Sequence, residues 1–338
     1  MDESDLMKVN QIRQDHFVEE YLLLHITDVE QVLIHKNEFV EIPCPACEQE
    51  RYVCKFEKSG FSFVECSACG TLFINPRPTA RLLSDFYRTA RSFNIFNEKI
   101  YPASETARRE LIFSPRAARV VELCKRYLTD SATTLVDVGA GFGTFCEEIQ
   151  KLAFFKNVIA VEPSPTLAET CRLKGLKVLK KSIEEIHFED DISVTVCFEL
   201  IEHLFKPRDF LLNIGRKTSG GGLLILTTPN IDGFDLKVLG PLSENVDGPE
   251  HLNYFNKKSL GSLLEQCGFN VLETITPGRL DAELVRKKAL AGVINLENQP
   301  FLKQVLIDEW DSAGEAFQQF IAEQGLSSHM WIVARRRL

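Results

Sequence analysis

Apolar residues fall in short blocks along this chain, and from its middle onward the blocks alternate with stretches of helical spacing. An apolar run from Leu135 reaches Asp137, passes through Gly139, Gly141 and Gly143, and gives way to helical spacing at Phe145, Ile149 and Leu152. Further apolar blocks lie at 158–161, 175–179, 192–198, 220–229, 269–275 and 329–334, while 259–267, closed by Gly268, reads as a helix. Strands alternating with helices predict an α/β chain built on a doubly wound, seven-stranded Rossmann-like sheet. Segment 281–326 separates the last two strands, is longer than a hairpin needs, and reads as a helical insertion. Ser114 and Pro115 predict a helix start, serine as N-cap and proline in the first turn, sending Val120, Val121 and Leu128 toward the core. Ahead of the sheet, residues 1–40 read as an amphipathic helical segment (Phe17, Tyr21, Leu24). The expected organisation is 1–40 helical, 41–80 a small cysteine module, 81–119 a helical linker or lid, and 120–338 the α/β domain.

Composition changes the picture in two places. The chain has 338 residues, 44% hydrophobic and 26% charged, and no apolar run approaches the roughly 20 residues of a membrane span. It begins with acidic residues (Asp2, Glu3, Asp5) in place of a basic leader, so a cytoplasmic location is expected. Ten cysteines in a reducing compartment point to thiol or metal roles. Cys44, Cys47, Cys66 and Cys69 form two C-x2-C pairs separated by 18 residues, the spacing of a four-thiolate zinc ribbon, with residues 61–64 as a strand of the hairpin between them. Cys54 is a spare, and a redox dithiol would need only one pair. Cys124, Cys146, Cys171, Cys197 and Cys267 fall in apolar or helical patterns and read as core.

Charge is uneven. Residues 1–80 hold 14 Asp plus Glu against 7 Lys plus Arg, a net of −7. Phosphate would meet repulsion there, so the ribbon is expected to be a cap beside the active site, with no nucleic-acid partner. Residues 81–119 reverse the sign, with eight basic residues against four acidic, and Phe86, Tyr87, Phe93, Phe96 and Tyr101 interleaved. Arginine forks suit phosphate groups; a solvated helix face explains the same run without a ligand.

The glycine turn carries the first chemistry. A strand leading through glycines into a helix lets a nucleotide-like ligand lie against bare backbone. Glu162, nineteen residues past Gly143 at the end of the next strand, is placed to accept ribose hydroxyls. The glycine spacing differs from the dinucleotide fingerprint, and Asp137 suits an ammonium tail but would repel a pyrophosphate. On these residues the chain resembles the class I S-adenosylmethionine-dependent methyltransferases. The resemblance implies S-adenosylmethionine as cofactor, on Asp137, Gly139, Gly141, Gly143 and Glu162, with Ser182 and Ile183 at the adenine edge and Phe198 at the end of strand four. It also implies a final strand inserted antiparallel between strands five and six.

Acceptor chemistry is expected at the carboxyl ends of the strands. Glu199, Glu202 and His203 stand at i, i+3 and i+4, sharing a side of one turn if it is helical. Three readings stand together: His203 as general base, the trio as a Mg²⁺ site, or a buried polar turn. This run is similar to that of ubiquinone-pathway O-methyltransferases, which keeps the metal reading open. Similar methyltransferases also carry His-x3-Phe where His251 and Phe255 stand; His251 and Tyr254 then touch substrate or assist proton removal, unless the loop is simply packed by Phe255. Arg279 and Asp281 fall near the same rim, with no role assigned.

The cysteine pairs, residues 75–78, the glycine turn, Glu162, Glu202 with His203, and residues 251–255 follow the order seen in zinc-ribbon-headed bacterial methyltransferases. That group is linked to surface-polysaccharide, nucleotide-sugar and secondary-metabolite pathways. The expected reaction is methyl transfer to an oxygen of a small molecule, phosphate-bearing acceptors included. Deoxysugar C-methyltransferases share the ribbon but usually add a C-terminal domain, for which 338 residues leave little room. C-methylation, a nucleic-acid or protein methyltransferase reading its target through the ribbon, and a non-catalytic scaffold are the alternatives. The motifs leave oligomeric state open.

Overall fold

The computed structural model describes residues 15–128, 133–188 and 191–338. The acidic start and the first fourteen residues of the predicted N-terminal segment lie outside the described residues. Helix Asp15–Leu33 is followed by three antiparallel strands, β1 (Tyr52–Lys58), β2 (Phe61–Cys66) and β3 (Leu72–Ile74).

The main sheet is built from β4 (Thr134–Val138), β5 (Asn157–Val161), β6 (Lys177–Leu179), β7 (Ile192–Phe198), β8 (Thr218–Pro229), β10 (Phe269–Ile275) and β11 (His329–Arg336). Its order is β10-β11-β8-β7-β4-β5-β6, parallel except for β11, which runs antiparallel between β8 and β10. This is the mixed seven-stranded sheet typical of class I methyltransferases, with the late strand where the resemblance implies it. Every residue of central β4 is buried, as expected of a parallel strand covered on both faces. Alternation along β8 divides the core: Leu223 and Ile225 face helices Ser114–Tyr127 and Thr144–Lys151, whereas Leu224 and Leu226 face helices Pro207–Lys217 and Lys257–Gln266.

Two local expectations change. Residues 91–127 run through consecutive helical segments with π turns at Phe96–Ile100 and Arg109–Phe113, and Ser114 is itself helical with no capping bond. Ser114 is therefore not an N-cap. The wider π turn ahead of Pro115 accommodates a residue with no N–H to give. Segment 281–326 is helical (Asp281–Leu290, Pro300–Lys303, Trp310–Glu323) and packs a small core of its own, including Leu239, Val285 and Leu306. Asp281 is buried and accepts hydrogen bonds from Ser327 Oγ, Ser328 N and Gln318 Nε2, so it anchors this insertion.

The unforeseen feature is β9 (Asn253–Tyr254). It leaves the main domain after β8 and pairs with β3, giving a second sheet ordered β1-β2-β3-β9. Arg77 rivets the junction. Fully buried, its guanidinium donates to the carbonyls of Ile74, Phe205 and Leu252 and to Asn253 Oδ1, at 3.0–3.3 Å. Among the described residues no helix is long and apolar enough to cross a membrane.

Candidate active site

The glycine turn follows β4 at the carboxyl edge of the sheet. Gly139, Gly141 and Gly143 all take positive φ (79°, 55° and 73°). A Cβ on Gly143 would stand 2.4 Å from Leu176 Cδ1, and one on Gly139 3.1 Å from Leu200 Cδ2; on Gly141 it would meet nothing within 4 Å. Gly141 is thus the one of the three whose outer face is open. Glu162 is buried, its Oε2 accepting from Gly141 N and its Oε1 from Ser164 N, both at 2.8 Å. Asp137 lies beneath, buried and 3.4 Å from the Cys146 thiol; burial pushes it up to about 7. Ser182 precedes the turn Ile183–Glu185, in which Ile183 is buried. Phe198 packs edge-on against Phe145, and the Arg116 guanidinium lies 4.5 Å from the Phe198 ring centre.

Sequence reasoning counted Arg116 only as one of eight basic residues. It has no ion pair or hydrogen bond among the described residues and feels the charges of Glu199 and Asp137. Five of its seven basic neighbours in the run pair with carboxylates: Arg109 with Glu105, Glu147 and Glu148, Arg119 with Glu273, Lys99 with Glu20, and Arg81 and Arg88 with Asp85. Much of the predicted positive stretch is therefore paired with carboxylates, Arg81 and Arg88 at the surface. A helix-start position just ahead of the glycine strand was the signal available.

Across the strand ends, Glu199 and Glu202 do not share a side. Glu199 sits at φ 48°, its carboxylate accepting from Thr227 Oγ1 at 2.5 Å and lying 3.4 Å from His329 Nδ1. The chain then turns through the 3-10 segment Ile201–His203, and Glu202 points inward, its Oε2 accepting from Thr228 Oγ1 at 2.9 Å. Burial and the charge of Glu199 raise the Glu202 carboxyl well above its usual range. What does converge is Glu202, His203 and His251, with one ligand atom of each within 4.8 Å of the others.

Both imidazoles are pinned through Nδ1. His203 Nδ1 donates to the Glu250 carbonyl and His251 Nδ1 to that of Asn245, each at 2.8 Å, and the rings meet edge to face at 4.7 Å. That fixes the tautomer and leaves each Nε2 as an acceptor. Burial, with His251 beside it, pulls His203 down to about 3, so it is neutral. Tyr254, by contrast, is fully buried against Phe63, its hydroxyl accepting from Asp247 N. The tyrosine hydroxyl beside His203 is that of Tyr87, which donates to the Glu250 carbonyl at 3.1 Å and lies 3.3 Å from His203 Nδ1. Nothing in its local sequence sets Tyr87 apart from the aromatics around it.

The four cysteines of the paired motifs form one cluster. Cys44 and Cys69 sulfurs are 3.6 Å apart, Cys47 and Cys66 3.5 Å, and all four lie within 4.8 Å of one another. A tetrahedral metal with bonds near 2.3 Å separates its sulfurs by about 3.8 Å, so the cluster fits such an ion. Cys54 is exposed on β1 and takes no part.

Residues 108–274 match the family model described as a methyltransferase domain. That part of the chain is thus similar to methyltransferase domains, and the sheet order is the one typical of class I methyltransferases. The chain is similar to the mitochondrial ubiquinone biosynthesis O-methyltransferase of Candida albicans, 32% identical over 114 residues, 31% of this chain and 35% of that one. A probable S-adenosylmethionine-dependent methyltransferase of Mycobacterium tuberculosis is 30% identical over 142 residues, 41% of this chain and 49% of its own. The chain thus spans less than half the length of these relatives. Among solved structures, an S-adenosylmethionine-dependent methyltransferase from Clostridium acetobutylicum is similar over 73% of this chain and 99% of its own, at 12% identity and a TM-score of 0.47.

Proposed function

We propose that the chain transfers a methyl group from S-adenosylmethionine to an oxygen of a small molecule. One observation carries the reading: Glu162 and the open Gly141 stand on one lip of the strand ends, and two tautomer-fixed histidines stand on the other. S-adenosylmethionine supplies, when bound, a methyl on a positively charged sulfur, which is a good leaving group. Its fit is supported by three features: the space above Gly141 that a Cβ would fill, a buried carboxylate at the end of β5, and a guanidinium with no carboxylate of its own. Glu162 would take the ribose hydroxyls, Asp137 the ammonium and Arg116 the carboxylate, with Gly139, Gly143 and Phe198 shaping the turn and wall and Ser182 and Ile183 the adenine edge.

His203 then receives the acceptor's proton on Nε2, with Glu202 Oε1 3.9 Å away and His251 beside it. A neutral imidazole suits that task; its low basicity means that positioning, not proton affinity, must supply most of the acceleration. Tyr87 takes the role expected of Tyr254 at the pocket. Mg²⁺ does not fit: Glu199 is turned to Thr227 and His329, and two imidazoles with one carboxylate are poor partners for a hard cation. The cysteine cluster is read as a structural zinc ribbon that braces the acceptor side through β9.

Nucleic acid is disfavoured as the acceptor because residues 1–80 carry a net charge of −7, and small acceptors of the nucleotide-sugar, sugar or secondary-metabolite kind are the reading kept. C-methylation of a deoxysugar is the second reading. The test is calorimetry with S-adenosylhomocysteine, followed by transfer of labelled methyl to a panel of sugars, nucleotide sugars and phenols. Absence of binding by zinc-loaded protein overturns the reading.

A further inference from the structure

We propose that the N-terminal helix is a working part of the acceptor site, with Tyr21 and His25 acting as positioning residues for His203 through Glu250. This rests on the reading of His203 above. One turn apart on Asp15–Leu33, the Tyr21 and His25 rings stack at 5.6 Å and face the loop that precedes β9. Tyr21 donates its hydroxyl to Glu250 Oε1 at 2.9 Å. His25 is buried between two carboxylates, its Nε2 3.0 Å from Asp247 Oδ2 and its Nδ1 3.4 Å from Glu250 Oε1.

The other end of Glu250 does the catalytic-side work. Its carbonyl accepts both His203 Nδ1 and the Tyr87 hydroxyl. The residue is therefore gripped at its carboxylate by one helix and offers its carbonyl to the pocket. A tautomer is only as fixed as the acceptor that fixes it. The loop has restraints of its own, in the Asp247 N to Tyr254 hydroxyl bond, the bonds of His251 N to the Asp247 carbonyl and His251 Nδ1 to that of Asn245, and the burial of Gly248 and Pro249, but the Glu250 carboxylate is held from the helix, by Tyr21 and His25. The helix is held independently, through Asp28 Oδ2 accepting from Ser92 N and through Val29 and Val32 in the apolar core beside β2 and β3. Two residues more than two hundred positions before Glu250 thus decide where its carbonyl points.

The experiment is NMR of histidine ring nitrogens in the full-length protein, with S-adenosylhomocysteine affinity measured in parallel. The wild-type His203 should show a single Nδ1–H tautomer that does not titrate near neutrality. In Tyr21→Phe combined with His25→Leu, His203 should lose that pattern and begin to titrate toward an ordinary histidine, with S-adenosylhomocysteine affinity unchanged. Val32→Ala, which loosens the same helix without touching the polar pair, should leave His203 as in the wild type. Should the double variant fail to fold, Tyr21→Phe alone carries the test, with partial loss of the single tautomer expected. An unaltered His203 in the folded variant overturns the proposal, as does an equal change in Val32→Ala. Lack of S-adenosylhomocysteine binding by the wild type would instead sink the methyltransferase reading, since the ring-nitrogen measurement needs no cofactor.

Discussion

Gly141 and Gly143 are two residues apart in one turn, and alanine at each should fail for opposite reasons. Both hold positive φ, where an L-side chain costs about 1 kcal/mol. At Gly143 the added carbon would also stand 2.4 Å from Leu176 Cδ1 and 2.9 Å from Cys171 Sγ, inside a packed core. Overpacking of that kind costs a further ~1–3 kcal/mol, so Gly143→Ala should lose about 2–4 kcal/mol of stability. At Gly141 nothing lies within 4 Å, so the conformational cost of about 1 kcal/mol should be the whole loss of stability. The methyl then occupies the space assigned to the adenosyl group, and S-adenosylhomocysteine should bind roughly ten- to a hundredfold more weakly. Urea titration measures the first quantity and calorimetry the second. If Gly141→Ala loses stability as expected but binds S-adenosylhomocysteine with undiminished affinity, the turn does not face the ligand and the cofactor assignment falls.

Four further outcomes follow from the same geometry. With an acceptor in hand, His203→Ala should lower turnover by about a hundredfold or more while cofactor affinity holds; a loss below about tenfold makes His203 a wall residue. His203 is pulled down to about 3 by burial in the folded chain but sits near 6.5 when unfolded, so between those values the unfolded chain binds the extra proton. Its contribution to stability is therefore present above about pH 6.5 and lost as pH falls, and His203→Gln should flatten the urea midpoint between about pH 5 and 7; an unchanged slope refutes it. Arg77→Leu leaves three carbonyls and Asn253 Oδ1 without a charged donor and should cost about 2–4 kcal/mol after the relief of burying a charge, against which a loss under ~1 kcal/mol would count. Native mass spectrometry should find one zinc ion per chain, and Cys47→Ser with Cys66→Ser should abolish it.

The parts of this molecule that were legible in the sequence are those set by local chemistry. Alternating apolar blocks and helical stretches placed the strands of the main sheet to within a few residues, because a strand buried on both faces must be apolar throughout. Paired cysteines had to converge because each C-x2-C turns two sulfurs the same way. What the sequence hid depends on long-range placement. Equal spacing suggested that Glu199 and Glu202 share a face, but the positive φ at Glu199 breaks the helical periodicity on which that inference rests. Tyr254 is turned into core because β9 is drawn into the cysteine sheet, and Tyr87, one of the interleaved aromatics, stands beside His203. Arg116 is indistinguishable from its neighbours in the sequence; only the fold shows that its guanidinium lies over Phe198 at the strand ends.

The cysteine module and the acceptor side behave as one object, and the bonds between them say why. Asn253 donates to the Ile201, Glu202 and Leu204 carbonyls while accepting from Arg77, so a single side chain ties β9 and the arginine to the turn that carries Glu202 and His203. β9 has only two residues, paired to β3 at Leu72 and Phe73, and β3 follows directly on the second cysteine pair. A strand that short has no stability of its own; it is ordered because the sheet beside it is ordered. Loss of the metal proposed for the cysteine cluster should therefore release β9 first, and with it the carbonyls that fix both histidines. The glycine turn, Asp137 and Glu162 belong to β4 and β5, whose register does not involve the cysteine sheet. On the proposed function, a chain stripped of metal at the four thiolates is thus expected to bind S-adenosylhomocysteine as before and to lose methyl transfer; loss of both together would mean that the module supports the whole fold and not the acceptor side.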